Sequence, residues 1–169
     1  MDQATYLGQN RRSVLVATLL IFILLVGTAG FLYWFLNCPC ERTPGGYLLG
    51  EESQENITDW SFVNEVPLCQ IQIRAGILPH SINLNCSSLQ GELFIGCANC
   101  EGKRWAAALT ENAQARIRVN GTVYPVSARR LLDSSDMDHS WLAMNTKSGR
   151  PGDTPRLNTW RTFHLVTSS

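Results

Sequence analysis

The sequence predicts a mainly β domain with short helices (α+β), a small barrel closed on itself, behind one N-terminal transmembrane helix. Three observations predict it. The run Val14 to Leu36 holds 23 residues without a charge, and a helix of about 20 apolar residues crosses the hydrocarbon core of a bilayer. From Asp59 onward, short β-rich segments alternate apolar and polar side chains and are separated by hairpin turn signals. Six cysteines in so small an exported domain point to disulfides and an oxidising compartment.

The chain has 169 residues, with 14 Lys+Arg balanced by 14 Asp+Glu. That is room for one domain behind the anchor. Zero net charge removes the electrostatic case for a nucleic-acid partner, which needs a basic excess or stripe.

The apolar run reads as an uncut anchor. A cleavable signal has an apolar region of about 7–15 residues before a small-residue site. Gly27-Thr28-Ala29 imitates such a site, yet Phe31 to Leu36 follow directly and cleavage would leave an apolar N-terminus. Cys38 stands where a lipidated cysteine would, but Asn37 occupies the place of the small residue before it. Tyr33 and Trp34 suit an interfacial aromatic belt. Arg11 and Arg12 precede the span and only Arg42, beside Glu41, closely follows it. The positive-inside rule then gives a cytoplasmic tail over residues 1–13, a span over 14–36 and a periplasmic or extracellular C-terminal domain. Gly27 and Gly30 lack GxxxG spacing, so the span itself carries little dimer signal.

Residues 37–58 read as a flexible linker, broken by Pro39, Pro44, Gly45, Gly46 and Gly50 and acidic over Glu51 to Glu55. The domain then occupies residues 59–169. Val66 to Arg74 is a strand with Ile71 and Ile73 on one face and Gln70 and Gln72 on the other. Ser81 to Ser88 alternates Ile82, Leu84 and Cys86 against polar neighbours, and Gln90-Gly91 turns it into Glu92 to Cys97 as a hairpin. Lys103 to Asn112 is an alanine-rich short helix. Ala115 to Val119 returns to strand, and Asn120-Gly121 is the strongest hairpin signal, pairing it with Thr122 to Arg130. Pro125 predicts that this last strand is an edge or carries a bulge. Ser135 to Lys147 is a poor helix begun by a Ser/Asp cap, and Thr159 to Thr167 is the closing strand. Hairpins in this order argue a small barrel with helices plugging its rims.

The block from His80 to Leu131, with its Gly-Lys-Arg-Trp helix start after a strand and its helix-to-hairpin passage, resembles the split β-barrel of the pyridoxamine phosphate oxidase-like flavin proteins. That family includes the deazaflavin-dependent nitroreductases. The likeness spans about residues 60–132, with the strand around Trp160 as the closing strand. It implies a homodimer binding FMN or a deazaflavin in a groove between subunits. It also implies that Lys103 and Arg104 at the helix start hold the flavin phosphate, with Trp105 beside them. Arg116 and Arg118 on the next strand would add charge. A helix start suits a phosphate, because free N–H groups and the helix dipole both favour an anion. Trp105 stands where flavin-binding members often carry a second cation. Read without a ligand, Arg116 and Arg118 are the polar face of a half-buried strand whose other face is Ile117 and Val119.

Cys38-Pro39-Cys40 and Cys97-Ala98-Asn99-Cys100 supply four thiols, but nothing else has ligand spacing, so no metal is expected. Structural bridges are the default, with Cys97–Cys100 and Cys69–Cys86 as candidate pairs. A thioredoxin-like motif would open a helix in a βαβ unit, whereas this CxxC follows a hairpin. His80, His139 and His164 are scattered, and no nucleophile elbow or phosphate loop is present, so no catalytic residue is assigned. Sequons stand at Asn56, Asn85 and Asn120. Three functions follow: a small-molecule, flavin-like binding module; a flavin- or deazaflavin-dependent oxidoreductase; or a cofactor-free interaction domain of the cell envelope.

Overall fold

The computed structural model describes residues 3–168, with side chains from Ser13 onward. Met1, Asp2 and the side chains of Arg11 and Arg12, on which the orientation expectation rests, lie outside the described residues. The chain forms two compact units, one ending at Phe35 and the other starting at Leu36. The first is helix α1 (Gln3–Asn37). Its stretch Ser13–Asn37 is 25 residues long with mean hydropathy 2.6 and buries nothing in the protein, so its length and composition suit a membrane crossing. Thr18 and Thr28 donate their hydroxyls to the Val14 and Leu24 carbonyls, at 2.9 Å and 2.7 Å. Their polar atoms are thereby satisfied within the helix, as an apolar surrounding requires.

The second unit runs through strands β1 (Glu51–Glu52), β2 (Cys69–Arg74), β3 (Pro79–Leu84), β4 (Cys86–Leu89) and β5 (Glu92–Ala98), then helix α2 (Arg104–Glu111). It continues through β6 (Gln114–Val119), β7 (Thr122–Arg130), α3 (Ser134–Lys147) and β8 (Trp160–Thr167). A 3-10 turn over Ser61–Glu65 precedes β2. The strands pair antiparallel in the order β3-β2-β6-β7-β8-β5-β4, and β1 joins β7 in parallel. The two ends of this path, β3 and β4, are separated in the chain by Asn85 alone. The sheet must therefore curl until its first and last strands meet. No ladder joins β3 to β4 among the described residues, so the barrel closes with a seam.

Both hairpin signals form as expected. Gln90 and Gly91 have φ of 53° and 84°, and Asn120 and Gly121 have 49° and 86°. Positive φ at both central residues is the type I′ turn that matches strand twist. Inward faces alternate cleanly: Ile71 and Ile73 from β2, Leu93 and Ile95 from β5, Ile117 and Val119 from β6, and Phe163 and Leu165 from β8 form the core. Helix α2 covers one end with Trp105, Ala106, Ala108 and Leu109. Helix α3, capped by Asp133, whose carboxylate accepts from the Ser135 and Asp136 N–H groups, packs on the outer face around Phe94 and Leu131.

Two expectations are corrected. Ser81 to Ser88 is not one strand: it breaks at Asn85, and β3 pairs with β2 while β4 pairs with β5. Asn64 holds β4 in its own place, accepting from the Ser88 N–H at 2.8 Å and donating to the Ser88 carbonyl at 2.9 Å. β7 is not an edge strand, for it pairs with β6 along one side and with β1 and then β8 along the other. Pro125 sits at that hand-over. The Ala128 N–H points to β6, bonding Ala113, so by alternation the missing N–H of Pro125 faces the gap between β1 and β8. Its carbonyl accepts from Ser168.

The structure also differs from a linker over residues 37–58. Gly45 pairs with Ser81 on the outer side of β3, Leu48 is fully buried, and Ser53 bonds the Val123 carbonyl. Residues 38–53 thus form a strap on the sheet. Gly45 is required there, since any side chain would collide with the Cys38 carbonyl. Three disulfides form, Cys38–Cys40, Cys69–Cys86 and Cys97–Cys100, with Cα separations of 4.5, 5.8 and 5.5 Å.

Two consequences for stability are measurable. Lys147 donates to the Val63 carbonyl at 2.8 Å and the Cys86 carbonyl at 2.6 Å. Lys147→Met removes both bonds and should cost about 1–3 kcal/mol, read as a lower midpoint in denaturant unfolding. Burial lowers the pKa of His80, with the Arg104 charge adding to it, and burial lowers that of His164, aided by Arg129 against the pull of Glu92 and Asp136. Below the ordinary imidazole value of about 6.5, the unfolded chain binds protons that the fold excludes, so stability is full above that pH and falls as pH drops through the lowered values. Unfolding midpoints between pH 7.5 and 5 should show this slope, and His164→Gln should flatten it.

Candidate functional site

The seam opens into a cleft of about 530 Å³. One wall is β3, through Ile82 and Asn83; the opposite wall is the far end of β5, through Gly96 and Cys97. Lys103 and Trp105 enter from the start of α2, Trp141 from α3, Trp160 from β8, and Arg150 from the loop after α3. Among the described residues no carboxylate lines it. The volume lies within the range of small-molecule sites, which combine apolar walls with a few polar groups.

Gly96 shapes this wall. A side chain at that position would strike the indole of Trp160, so the bare glycine lets that ring lie across β5. Trp160 meets Trp141 edge to face, with centroids 5.0 Å apart. Both indole N–H groups are satisfied inside the protein: Trp160 donates to the Ser140 hydroxyl at 3.3 Å and Trp141 to the Thr154 carbonyl at 2.8 Å. Trp105 is held against Phe163 at 5.8 Å. The aromatic walls are therefore rigid and apolar, while Lys103 and Arg150 are exposed cations at the rim. Lys103 occupies the N-cap of α2 and is exposed at the rim.

The five residues singled out in the sequence separate into two groups. Lys103 and Trp105 line the cleft. Arg104 does not; its guanidinium donates to the Ala75 carbonyl at 2.5 Å, joining α2 to the end of β2. Arg116 and Arg118 lie on the outer face of β6, beneath the strap. Arg116 pairs with Glu52 at 2.7 Å and donates to the Leu48 carbonyl at 3.1 Å and to Gln72 Oε1 at 3.0 Å. Its guanidinium also sits 4.5 Å from the centre of the Tyr47 ring. Arg118 donates to Gln70 Oε1 at 2.5 Å and to the Leu49 carbonyl at 2.6 Å, and burial lowers its pKa. These two arginines do the work of strand partners for the strap. Sequence reasoning missed Arg150, Trp141 and Trp160; only their residue types, a cation and two aromatics, gave any signal.

No family model matches the chain, and no curated protein matches it in sequence. Solved structures do. A conserved hypothetical protein, Rv2991, from Mycobacterium tuberculosis superposes with a TM-score of 0.52 at 11% identity, covering 70% of this chain and 86% of its own. HutZ, the heme storage protein from Vibrio cholerae, gives 0.51 at 16% identity over 64% and 86%. A FAD-binding protein from Mesorhizobium loti gives 0.46 at 11% identity over 63% and 85%. At such identities the likeness speaks for architecture. The chain folds as a split β-barrel, the architecture that the resemblance in its sequence implies.

Proposed function

We propose that the protein is a membrane-anchored, extracytoplasmic split-barrel module that binds a planar anionic small molecule of flavin type, FMN or a deazaflavin, in the seam cleft. The observation that carries this reading is the lining of that cleft: three tryptophans and two cations without a carboxylate. Indole walls suit a flat ring system, and exposed Lys103 and Arg150 suit its phosphate or other anionic arm. Arg104, Arg116 and Arg118 are committed to the protein's own carbonyls and side chains, so they are not in the proposed ligand set. The heme named for the Vibrio cholerae neighbour belongs to the same class of planar, anionic ligand. A bound flavin would supply the hydride chemistry of an oxidoreductase, while this chain's residues would orient it and exclude water. Anchorage rests on α1, with the domain outside by the arginine balance around the span, and a homodimer on the resemblance.

The test is a visible absorbance spectrum of detergent-purified full-length protein, with mass spectrometry of what acid releases. A stoichiometric flavin or deazaflavin is expected. Lys103→Ala and Arg150→Ala should each weaken its binding on the order of tenfold, the scale of one charge-assisted hydrogen bond. Arg116→Ala should keep the ligand and lower the unfolding temperature instead. A colourless protein that takes up neither added FMN nor a deazaflavin overturns the reading. Protease added to cells whose outer envelope has been opened while the cytoplasmic membrane stays sealed should digest the domain and spare the N-terminal tail.

A further inference from the structure

Beyond any ligand in the cleft, we propose that the Cys97–Cys100 disulfide is a thiol–disulfide exchange site for small anionic thiols. Three observations separate this bridge from Cys69–Cys86. The first is access: Cys69 and Cys86 are completely buried, whereas Cys97 and Cys100 are 7% and 8% exposed and open onto cavities. Cys97 lines the seam cleft, and Cys100 lines a second cavity of about 250 Å³ at the start of α2.

The second is charge. That smaller cavity is lined by Lys103, Arg130 and Arg161 against the single acid Glu101. Cationic surroundings near a helix start lower a thiol's pKa and favour the thiolate, and they attract an incoming anionic thiolate. The third is ring size. Cys97–Cys100 spans three positions in sequence and Cys69–Cys86 spans 17. Loop-closure entropy grows with the length closed, so the shorter bridge does less to hold the fold. Cys97 is next to last in β5, where it pairs with Arg161 of β8, and Cys100 lies in the loop between β5 and α2, with left-handed Asn99 and Gly102, so opening the bridge frees Cys100 at the edge of the ladder and not within it.

In the exchange, the thiolate of one small thiol attacks Cys100 Sγ, a mixed disulfide forms, the Cys97–Cys100 bond breaks, and Cys97 leaves as a thiolate that takes up a proton. A second small thiolate attacks the sulfur of the bound thiol, forming a small-molecule disulfide and releasing Cys100, which is protonated in turn. Two electrons pass from the two small thiols to the protein disulfide, and the two protons those thiols lose balance the two the cysteines gain.

The experiment treats the oxidised full-length protein with 3-mercaptopropionate or with cysteamine at equal thiolate concentration. Samples are quenched by alkylation, and each cysteine pair is followed by mass spectrometry. Cys97–Cys100 should open while Cys69–Cys86 stays closed, at least about tenfold faster with the anionic thiol than with the cationic one. Lys103→Glu, an exposed position outside the core, should narrow or reverse that preference. Cys97→Ser leaves Cys100 as a free thiol; its thiolate should exchange with added 3,3′-dithiodipropionate, the disulfide of 3-mercaptopropionate, to form a mixed disulfide that Cys97 is no longer present to resolve, with release of one 3-mercaptopropionate. If Cys97–Cys100 opens no faster than Cys69–Cys86, or shows no preference for the anionic thiol, the proposal is overturned. Because Cys97 and Lys103 also line the seam cleft, the measurement is made on protein stripped of any bound ligand, and the bridge readout then stands or falls whether or not the cleft takes up a flavin.

Discussion

The molecule is governed by one topological constraint: the first and last strands of the sheet are joined through a single residue, Asn85. A sheet whose two edges are tied together in the chain has to bend round on itself, and right-handed strand twist provides the bend. Because β3 and β4 share no ladder, closure is incomplete along that line. The gap is lined on one side by β3 and on the other by the end of β5, and the start of α2 and the end of α3 converge on it. The cleft is thus a direct product of how the barrel is tied. It needs no separate element to build it.

A second consequence is a polar outer face on β2 and β6 that must be covered. Gln70 and Gln72 stand opposite Arg118 and Arg116 in register, and together these four side chains offer donors and acceptors in rows. The strap uses them: Leu48 donates its N–H to Gln72 and its carbonyl accepts from Arg116, and the Leu49 carbonyl accepts from Arg118. Arginine suits this role, since its fork serves two partners at fixed angles and stays charged when partly buried. Glu52 and the Tyr47 ring complete the set around Arg116. Charges that look available for an anion in the sequence are therefore spent inside the fold.

What could be read from the sequence was what depends on near neighbours. Gln90-Gly91 and Asn120-Gly121 announce their turns because few residues tolerate two successive positive φ values. The alternation of Ile71, Ile73, Ile117 and Val119 announces the core, and alanine content announces α2. The break at Asn85 was not legible, since Ile82, Leu84 and Cys86 alternate straight through it; only the presence of two different partners splits the strand. Pro125 does not mark an edge, because proline excludes one hydrogen bond, not a strand's interior, and β7 changes partner at the position where that bond is absent. Of the cleft lining, Lys103 and Trp105 stand together in the sequence because they share a helix start. Trp141, Arg150 and Trp160 come from three later segments and meet them only in the closed barrel.

The strap also bears on where the folding unit begins. By composition the domain starts near Asp59, after the prolines, glycines and acidic run. A soluble version cut there would lack Leu48, Glu52 and the partner of Ser81. It would leave Val123 and the Gln–Arg rows facing water, and it would bare the outer side of β3 as an unpaired edge, a known route to self-association. The cut that keeps the sheet covered falls at Cys38, immediately after α1. In practical terms, the stretch that looks most dispensable is the one that an expression boundary must keep.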